Sequence, residues 1–289
     1  MIDSTYFSSL KIIFFLGIIL LILIIIKTIL SAIINRKDIE SARASIIGNE
    51  EIQEDYNTLV SREYGTLAVI ADGLGKNEAG RIASITAVKT ISSMFNEEGN
   101  KQKIICFLRK AFNTGNKEVL KRIERDKGGA SVLCAIISDD LLYYALVGEA
   151  MLCIFRNNEL VKISEGHSMG EIVKKQFSNG KIDRDKALHV LNEKRILYYM
   201  GQESFKNIEI SDLPISLKKD DIVVLMSRGI YENIRWIDLE EILSQKNKSL
   251  NMICEEIADE IEYSRNTCNG SIILMKYLRK KPKAPKEEI

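Results

Sequence analysis

The 289 residues carry 41 Lys and Arg against 40 Asp and Glu, a formal net charge of +1, with 46% hydrophobic and 28% charged content. That length and apolar share can bury one ordinary core with segments to spare, which excludes a disordered or fibrous chain. A near-neutral balance without a basic, aromatic-interleaved motif argues against nucleic-acid binding.

In chain order, the first 11 residues form a short leading segment, and Ile12 to Ile26 (IIFFLGIILLILIII) is uninterrupted apolar. Beyond Lys27 the run TILSAII continues to Ile34. A helix over 12–34 reaches across about 30 Å of hydrocarbon, and Lys27 lies far enough toward one end to snorkel. A cleaved signal peptide is the alternative: the shorter apolar stretch and Ser31-Ala32 fit it, while Arg36, Lys37 and Arg43 directly behind oppose it. One lysine, Lys11, precedes the span and those three basic residues follow, which predicts a single-pass cell-membrane protein with its C-terminal domain cytoplasmic. Cys106, Cys134, Cys153, Cys254 and Cys268 form no CxxC pair, so neither a zinc site nor a disulfide framework is suggested.

Residues 35–45 are charged and predict a juxtamembrane linker, with the folded domain over 46–278. Thr66 to Ala71 predicts a buried strand, and Glu78 to Phe95 places Ala79, Ile82, Ala83, Val88 and Ile91 at helical spacing. Lys103 to Ile123 predicts a second amphipathic helix that Thr114-Gly115-Asn116 could break. Strands are expected over Ala130 to Ile137, Leu141 to Val147, Met151 to Phe155 and Leu160 to Ile163, joined by short turns. Strands at Ile222 to Met226 and Ser271 to Met275 enclose helices at Asp238 to Ser244 and Leu250 to Tyr263. Strand runs with paired helices and no regular βαβ alternation give an α+β class. The tail 279–289 is basic and proline-broken, and is expected to be disordered.

Ala71-Asp72-Gly73-Leu74-Gly75-Lys76 runs from a strand through a glycine loop into a helix. A dinucleotide fingerprint would need a glycine where Glu78 stands, and a P-loop would need Ser or Thr after Lys76. What the segment supplies is a carboxylate beside a glycine-exposed carbonyl, both ligands for a hard cation.

With those residues in view, the chain resembles the PPM-type, metal-dependent type-two-C serine/threonine protein phosphatases over nearly all of 46–277. Gln53-Glu54-Asp55 is similar to the family's Asn-Glu-Asp, and Asp72-Gly73-Leu74-Gly75 to its Asp-Gly-Met-Gly loop. Gly129-Ala130-Ser131, Val147-Gly148-Glu149-Ala150, His167-Ser168, Asp221 through Gly229 and Cys268-Asn269-Gly270-Ser271 follow in family order. The resemblance implies an α-β-β-α sandwich with two Mg or Mn ions at one end, and hydrolysis of phosphoserine and phosphothreonine by a metal-held water. Carried over by position, Asp72 would bridge the metals, and the Gly73 carbonyl with Glu54 or Asp55 would complete one of them.

The second ion would need aspartates where Arg228 and Cys268 stand. Glu149 keeps only the charge of its aspartate, and Gly166 replaces the acid before His167. Exchanging Asp for Arg shifts the local charge by two units, each changing the interaction with a dication about 5 Å away by about 6 to 7 kcal/mol at an effective dielectric near 20. Millimolar to micromolar metal binding supplies only about 4 to 8 kcal/mol. The expectation is loss of the second metal, with the Arg228 guanidinium paired to Asp72 in its place. Lys76 is a candidate phosphate contact, whereas His167 and His189 are expected to be structural or exposed rather than catalytic. The function expected is a membrane-anchored pseudophosphatase that binds a phosphorylated protein or a protein kinase. The alternative is an atypical metal-dependent phosphatase that uses Asp72 and Arg228 catalytically with one retained Mg or Mn site.

Overall fold

A computed structural model describes residues 14–27, 38–75, 78–123, 128–183, 196–262 and 267–279. The chain divides into two units, 1–38 and 39–289. In the first, helix α1 covers 14–27 with its apolar side chains exposed. Among the described residues no helix is long and apolar enough to cross a membrane. The rest of the expected span, 12–13 and 28–34, lies outside the described residues, as do Lys76, His189 and 280–289.

The second unit stacks two antiparallel sheets between helices. One sheet orders β1 (Ile39–Ile46), β11 (Gly270–Tyr277), β10 (Ile222–Ser227), β6 (Ala150–Arg156) and β7 (Glu159–Lys162). The other orders β2 (Tyr56–Arg62), β3 (Gly65–Gly75), β4 (Gly128–Ser138), β5 (Leu141–Val147) and β8 (Glu209–Ile210), with β9 (Ile215–Ser216) also on β5. Helices α2 (Ala79–Glu98) and α3 (Ile104–Ile123) cover the second sheet. Across the molecule, α6 (Trp236–Leu243) and α7 (Leu250–Glu262) cover the first. Between these, α4 spans Met169–Ser178 and α5 is the single turn Arg228–Tyr231.

Three apolar layers follow from the period-2 alternation of the strands. On β3, Leu67, Val69 and Ala71 face α2 and α3, while Ala68 and Ile70 face the opposite sheet. On β10, Val223 and Leu225 enter that middle layer, and Val224 and Met226 meet α6 and α7. Strands buried on both faces read as continuous apolar runs, which is why these two are visible in the sequence. The result is the expected α+β four-layer sandwich.

Two features differ from expectation. Residues 39–45 are not a linker: β1 starts at Ile39 and pairs with β11 from Ile39 opposite Tyr277 to Ile46 opposite Gly270. Its single apolar face, Ala42 and Ile46 inward with polar residues between, hid it beside a charged stretch. Arg43, counted among the basic flank of the span, donates from β1 to the Asn57 carbonyl oxygen at 3.0 Å. Helix α3 also continues through Thr114-Gly115-Asn116. A Cβ at Gly115 would meet Met200 Sδ at 3.0 Å, and Asn116 Oδ1 accepts from Gly201 N at 2.6 Å. Packing against the 200–202 turn overrides the local propensity.

Candidate functional site

At one end of the sandwich β3 runs past β2 while still paired with β4, β10 ends at Ser227, β11 begins at Gly270, and the 47–55 loop lies at the same end. The strand ends bound a cleft of about 520 Å3, lined among others by Glu50, Glu54, Asp72, Gly73, Arg228 and Cys268. Of the sequence-predicted site residues, Glu54, Asp72, Gly73, Arg228 and Cys268 therefore share one cavity. Two close backbone approaches shape it. A Cβ on Gly73 would sit 2.6 Å from the Gly80 carbonyl oxygen and 2.8 Å from that of Glu54. One on Gly229 would overlap the Asn269 carbonyl oxygen.

Hydrogen bonds fix the acidic loop. Asn269 Oδ1 accepts from Glu54 N at 2.6 Å while its Nδ2 donates to the Ile47 carbonyl oxygen at 2.8 Å. The Ser84 hydroxyl holds the Glu54 carbonyl from α2. Asp55 is buried behind the cleft: Ser227 Oγ donates to its Oδ2 at 2.7 Å and accepts from Ser271 N at 2.8 Å. Asp55 Oδ1 is buried with no hydrogen-bond partner among the described residues.

Charge is concentrated here. Burial foremost pushes Asp55 up to about 6, with the Ser227 and Ser271 hydroxyls and then Arg228 opposing it and Glu54 adding to it. Asp72 is raised well above the usual carboxylate range, by burial first and then by Asp55, with Arg228 opposing and Glu149 and Glu54 reinforcing. Glu54 is raised by burial and by Glu50. At Arg228 burial works against the charge, but Asp72, then Glu232 and Glu149, outweigh it and keep the guanidinium protonated. Arg228 and Asp72 are therefore electrostatic partners in one cleft, yet among the described residues no hydrogen bond or ion pair joins them. The direct pairing expected between them is not made. They act on each other through the partly desolvated space of the cleft, where a charge interaction needs no contact.

Does this donor set fit a divalent cation? Among the described residues no three His, Cys, Asp or Glu side chains converge to hold one. On the Arg228 and Cys268 side a guanidinium and a thiol stand where hard-cation oxygens are needed, so a second ion does not fit. On the other side two carboxylates and the Gly73 segment meet, and the partnerless Asp55 Oδ1 lies behind them. That side fits one hard cation, with water completing the shell.

Glu149 is coupled by charge to both Asp72 and Arg228. Gly166 has the left-handed φ of 87°, and its N–H donates to Glu209 Oε2 at 2.9 Å. Glu209 Oε1 accepts from Glu165 N and from Tyr144 Oη, each at 2.9 Å. His167 Nδ1 accepts from Gly148 N at 3.2 Å and so steadies the loop that carries Glu149. Ser227, Asn269 and Ser271 stood in the sequence only as motif positions, without their bonds to Asp55 and Glu54, and Glu209 was missed altogether. A motif position gives a side chain's place along the chain but not its partner across the fold, although the acid missing at Gly166 was a cue to seek a carboxylate elsewhere.

Comparison with known proteins agrees with this architecture. The family profile described as protein phosphatase 2C matches residues 44–252. The serine/threonine phosphatase stp of Listeria monocytogenes is 26% identical over 187 residues, 62% of this chain and 72% of that protein. Among solved structures, the S. agalactiae serine/threonine phosphatase superposes with a TM-score of 0.74 at 20% identity, covering 83% of this chain and 100% of that one. The catalytic domain of the serine/threonine protein phosphatase PstP, in complex with 2 manganese ions, gives 0.67 at 16% identity, covering 83% and 99%.

Proposed function

The chain belongs to the protein phosphatase 2C family, and from that premise we propose that it works in phosphoserine and phosphothreonine signalling as a pseudophosphatase, a binding module held at a membrane. The observation that carries this reading is Arg228, a charged guanidinium in the cleft facing Asp72 where a second cation would otherwise be required. Arg228 offers planar donors to a phosphoryl group, the chemistry for which guanidinium is best suited. Glu50, Glu51 and Glu54 line the same cleft and suit basic residues flanking the phosphosite on a protein partner. Anchoring is supported by the apolar run 12–34, helical over its described part, and Arg36 and Lys37 against Lys11 favour a cytoplasmic domain.

One specific observation favours a second reading, a phosphatase that retains a single ion. Asp72, Glu54 and the Gly73 carbonyl, backed by Asp55, would hold Mg or Mn, which when bound supplies a water ionised near neutral pH. Arg228 would then orient the phosphoryl group and offset its charge.

Hydrolysis of a phosphothreonine peptide by the purified chain, with and without Mn2+, separates the two. The pseudophosphatase shows no turnover at any Mn2+ concentration, while peptide binding measured by fluorescence anisotropy is lost in Arg228→Ala. Mn2+-dependent turnover that disappears in Asp72→Asn would replace it with the single-ion enzyme.

A further inference from the structure

The pole of the sandwich opposite the cleft carries a second cavity, of about 480 Å3, formed by the β6–β7 turn, the turn before β10, the segment after α6 and the end of β11. Because β10 runs from Ile222 at this pole to Ser227 at the cleft, the two are separated by about 17 Å of strand. Six cations line it, Arg156, Lys218, Lys219, Lys246, Lys248 and Lys276, against three carboxylates, Glu40, Asp220 and Asp221.

Part of that charge is already used. Arg156 Nε donates to the buried Asp221 at 2.9 Å, and Lys248 Nζ lies 2.7 Å from Glu256. Asp220 is shared between Lys219 at 3.4 Å and Lys276 at 3.8 Å. Lys218 and Lys246, both exposed, have no ion pair among the described residues. The cleft has the opposite balance, with Glu50, Glu51, Glu54 and Asp72 against Arg228. The domain is thus polar along its strands, acidic at the cleft and basic at the far end.

A second, independent observation indicates what the basic end meets. Ile39 pairs with Tyr277, so the chain enters the domain and leaves its last strand at this same pole. The sequence there adds Arg36 and Lys37 just before entry and Arg279, Lys280, Lys281, Lys283 and Lys286 after exit.

We propose that this basic pole docks on an anionic lipid surface and thereby turns the acidic cleft away from the membrane toward the cytoplasm. The inference rests on the anchored reading for its geometry: an anchor holds the chain near the bilayer, and the pole sets how the domain faces it. Lysines within a Debye length of anionic headgroups are attracted, while the cleft carboxylates are repelled, and both effects fix one orientation.

The test reconstitutes the full chain into nanodiscs of either purely zwitterionic lipid or a mixture rich in phosphatidylglycerol. Amine labelling is then read lysine by lysine by mass spectrometry. Labelling of Lys218, Lys219, Lys246 and Lys276 is expected to fall about fivefold on the anionic discs and to recover in 0.5 M salt, with Lys89 on α2 and Lys117 on α3 unchanged. The triple variant Lys218→Glu, Lys219→Glu, Lys246→Glu should abolish the protection of Lys276. Equal labelling on both lipids, or an equal fall at Lys89 and Lys117, would overturn the proposal. Flotation of the full chain with zwitterionic vesicles checks the anchor separately. A chain that floats only with anionic vesicles, with the pole lysines protected, would remove the anchor and leave the basic pole standing.

Discussion

On the β2–β3 side of the cleft, Glu54, Asp55, Asp72 and Gly73 keep the acids and the glycine that a hard cation would use, whereas on the β10–β11 side a guanidinium and a thiol stand at Arg228 and Cys268. The backbone of the second side is nevertheless closely packed and hydrogen-bonded. Gly229 still approaches the Asn269 carbonyl too closely for any side chain, and Ser227 still bridges Asp55 to the Ser271 amide. Fold and chemistry are therefore specified by different atoms. Close backbone contacts and buried hydrogen bonds hold the strand ends together, and the charge of one side chain decides what they can bind.

The comparison breaks most severely at Gly229. If the backbone approach is structural, Gly229→Ala should cost about 3 kcal/mol or more, read as a lowered denaturation midpoint, because the obstacle is a carbonyl rather than a flexible side chain. A loss below about 1 kcal/mol would show that the β10–β11 side yields more readily than its packing suggests.

The next effect concerns charge alone. Arg228→Asp combined with Cys268→Asp restores acids on the failed side and should raise Mn2+ affinity at least about hundredfold by calorimetry, equivalent to about 2.7 kcal/mol. The electrostatic upper bound is larger, but the cleft is open to water and screens part of it. Unchanged affinity would mean that geometry, not charge, disables the site.

Legibility in the sequence divides along similar lines. Strands buried on both faces, such as β3, β4 and β10, and helices with one apolar stripe announced themselves, because the pattern that makes them visible is the pattern that buries them. β1 did not, since it shows one apolar face and lies at the edge of its sheet behind a charged stretch. The motif residues Glu54, Asp72, Gly73, Arg228 and Cys268 were found through their order along the chain and do meet in one cleft. The partners that set their behaviour were not. Ser227 reaches Asp55 across 172 positions, and Glu209 holds the Gly166 loop from 43 positions away, separations no local pattern encodes. The direct Arg228–Asp72 contact was also an inference from charge, and charge settles attraction without settling distance.

Asp55 sharpens the contrast with opposite sign. Its carboxyl is raised to about 6, so in the folded state the ion is disfavoured and its full cost is present above that pH. As pH falls from about 6 toward the unfolded value near 3.9, the protonated fold gains relative to the unfolded chain and this cost disappears. Asp55→Asn should therefore stabilise the domain by about 2 kcal/mol at pH 7 and leave it nearly unchanged at pH 4. The Asn carboxamide oxygen can still accept from Ser227 Oγ. A destabilised variant at pH 7 would show that the ionised carboxylate is instead required to hold the strand ends.

The smallest effect lies at His167, and it runs against Asp55 within the same pH range. Burial holds this imidazole below its usual pKa, with Glu209 and Glu165 only partly opposing, and its Nδ1 must stay unprotonated to accept from Gly148 N. A histidine kept neutral in the fold contributes its full stability above the unfolded value of about 6.5 and loses it as pH falls toward the folded value. Wild-type stability between pH 6.5 and 5 is then the sum of a loss at His167 and a gain at Asp55, and the net curve alone cannot assign either. His167→Gln keeps an acceptor without a titrating proton, so it should lie within about 1 kcal/mol of wild type at pH 8 and lose less stability on acidification. Measured in the Asp55→Asn background, the His167 contribution appears without the opposing carboxylate. A variant as acid-sensitive as its parent there would remove the Gly148 hydrogen bond from the account of how Glu149 is held beside Arg228.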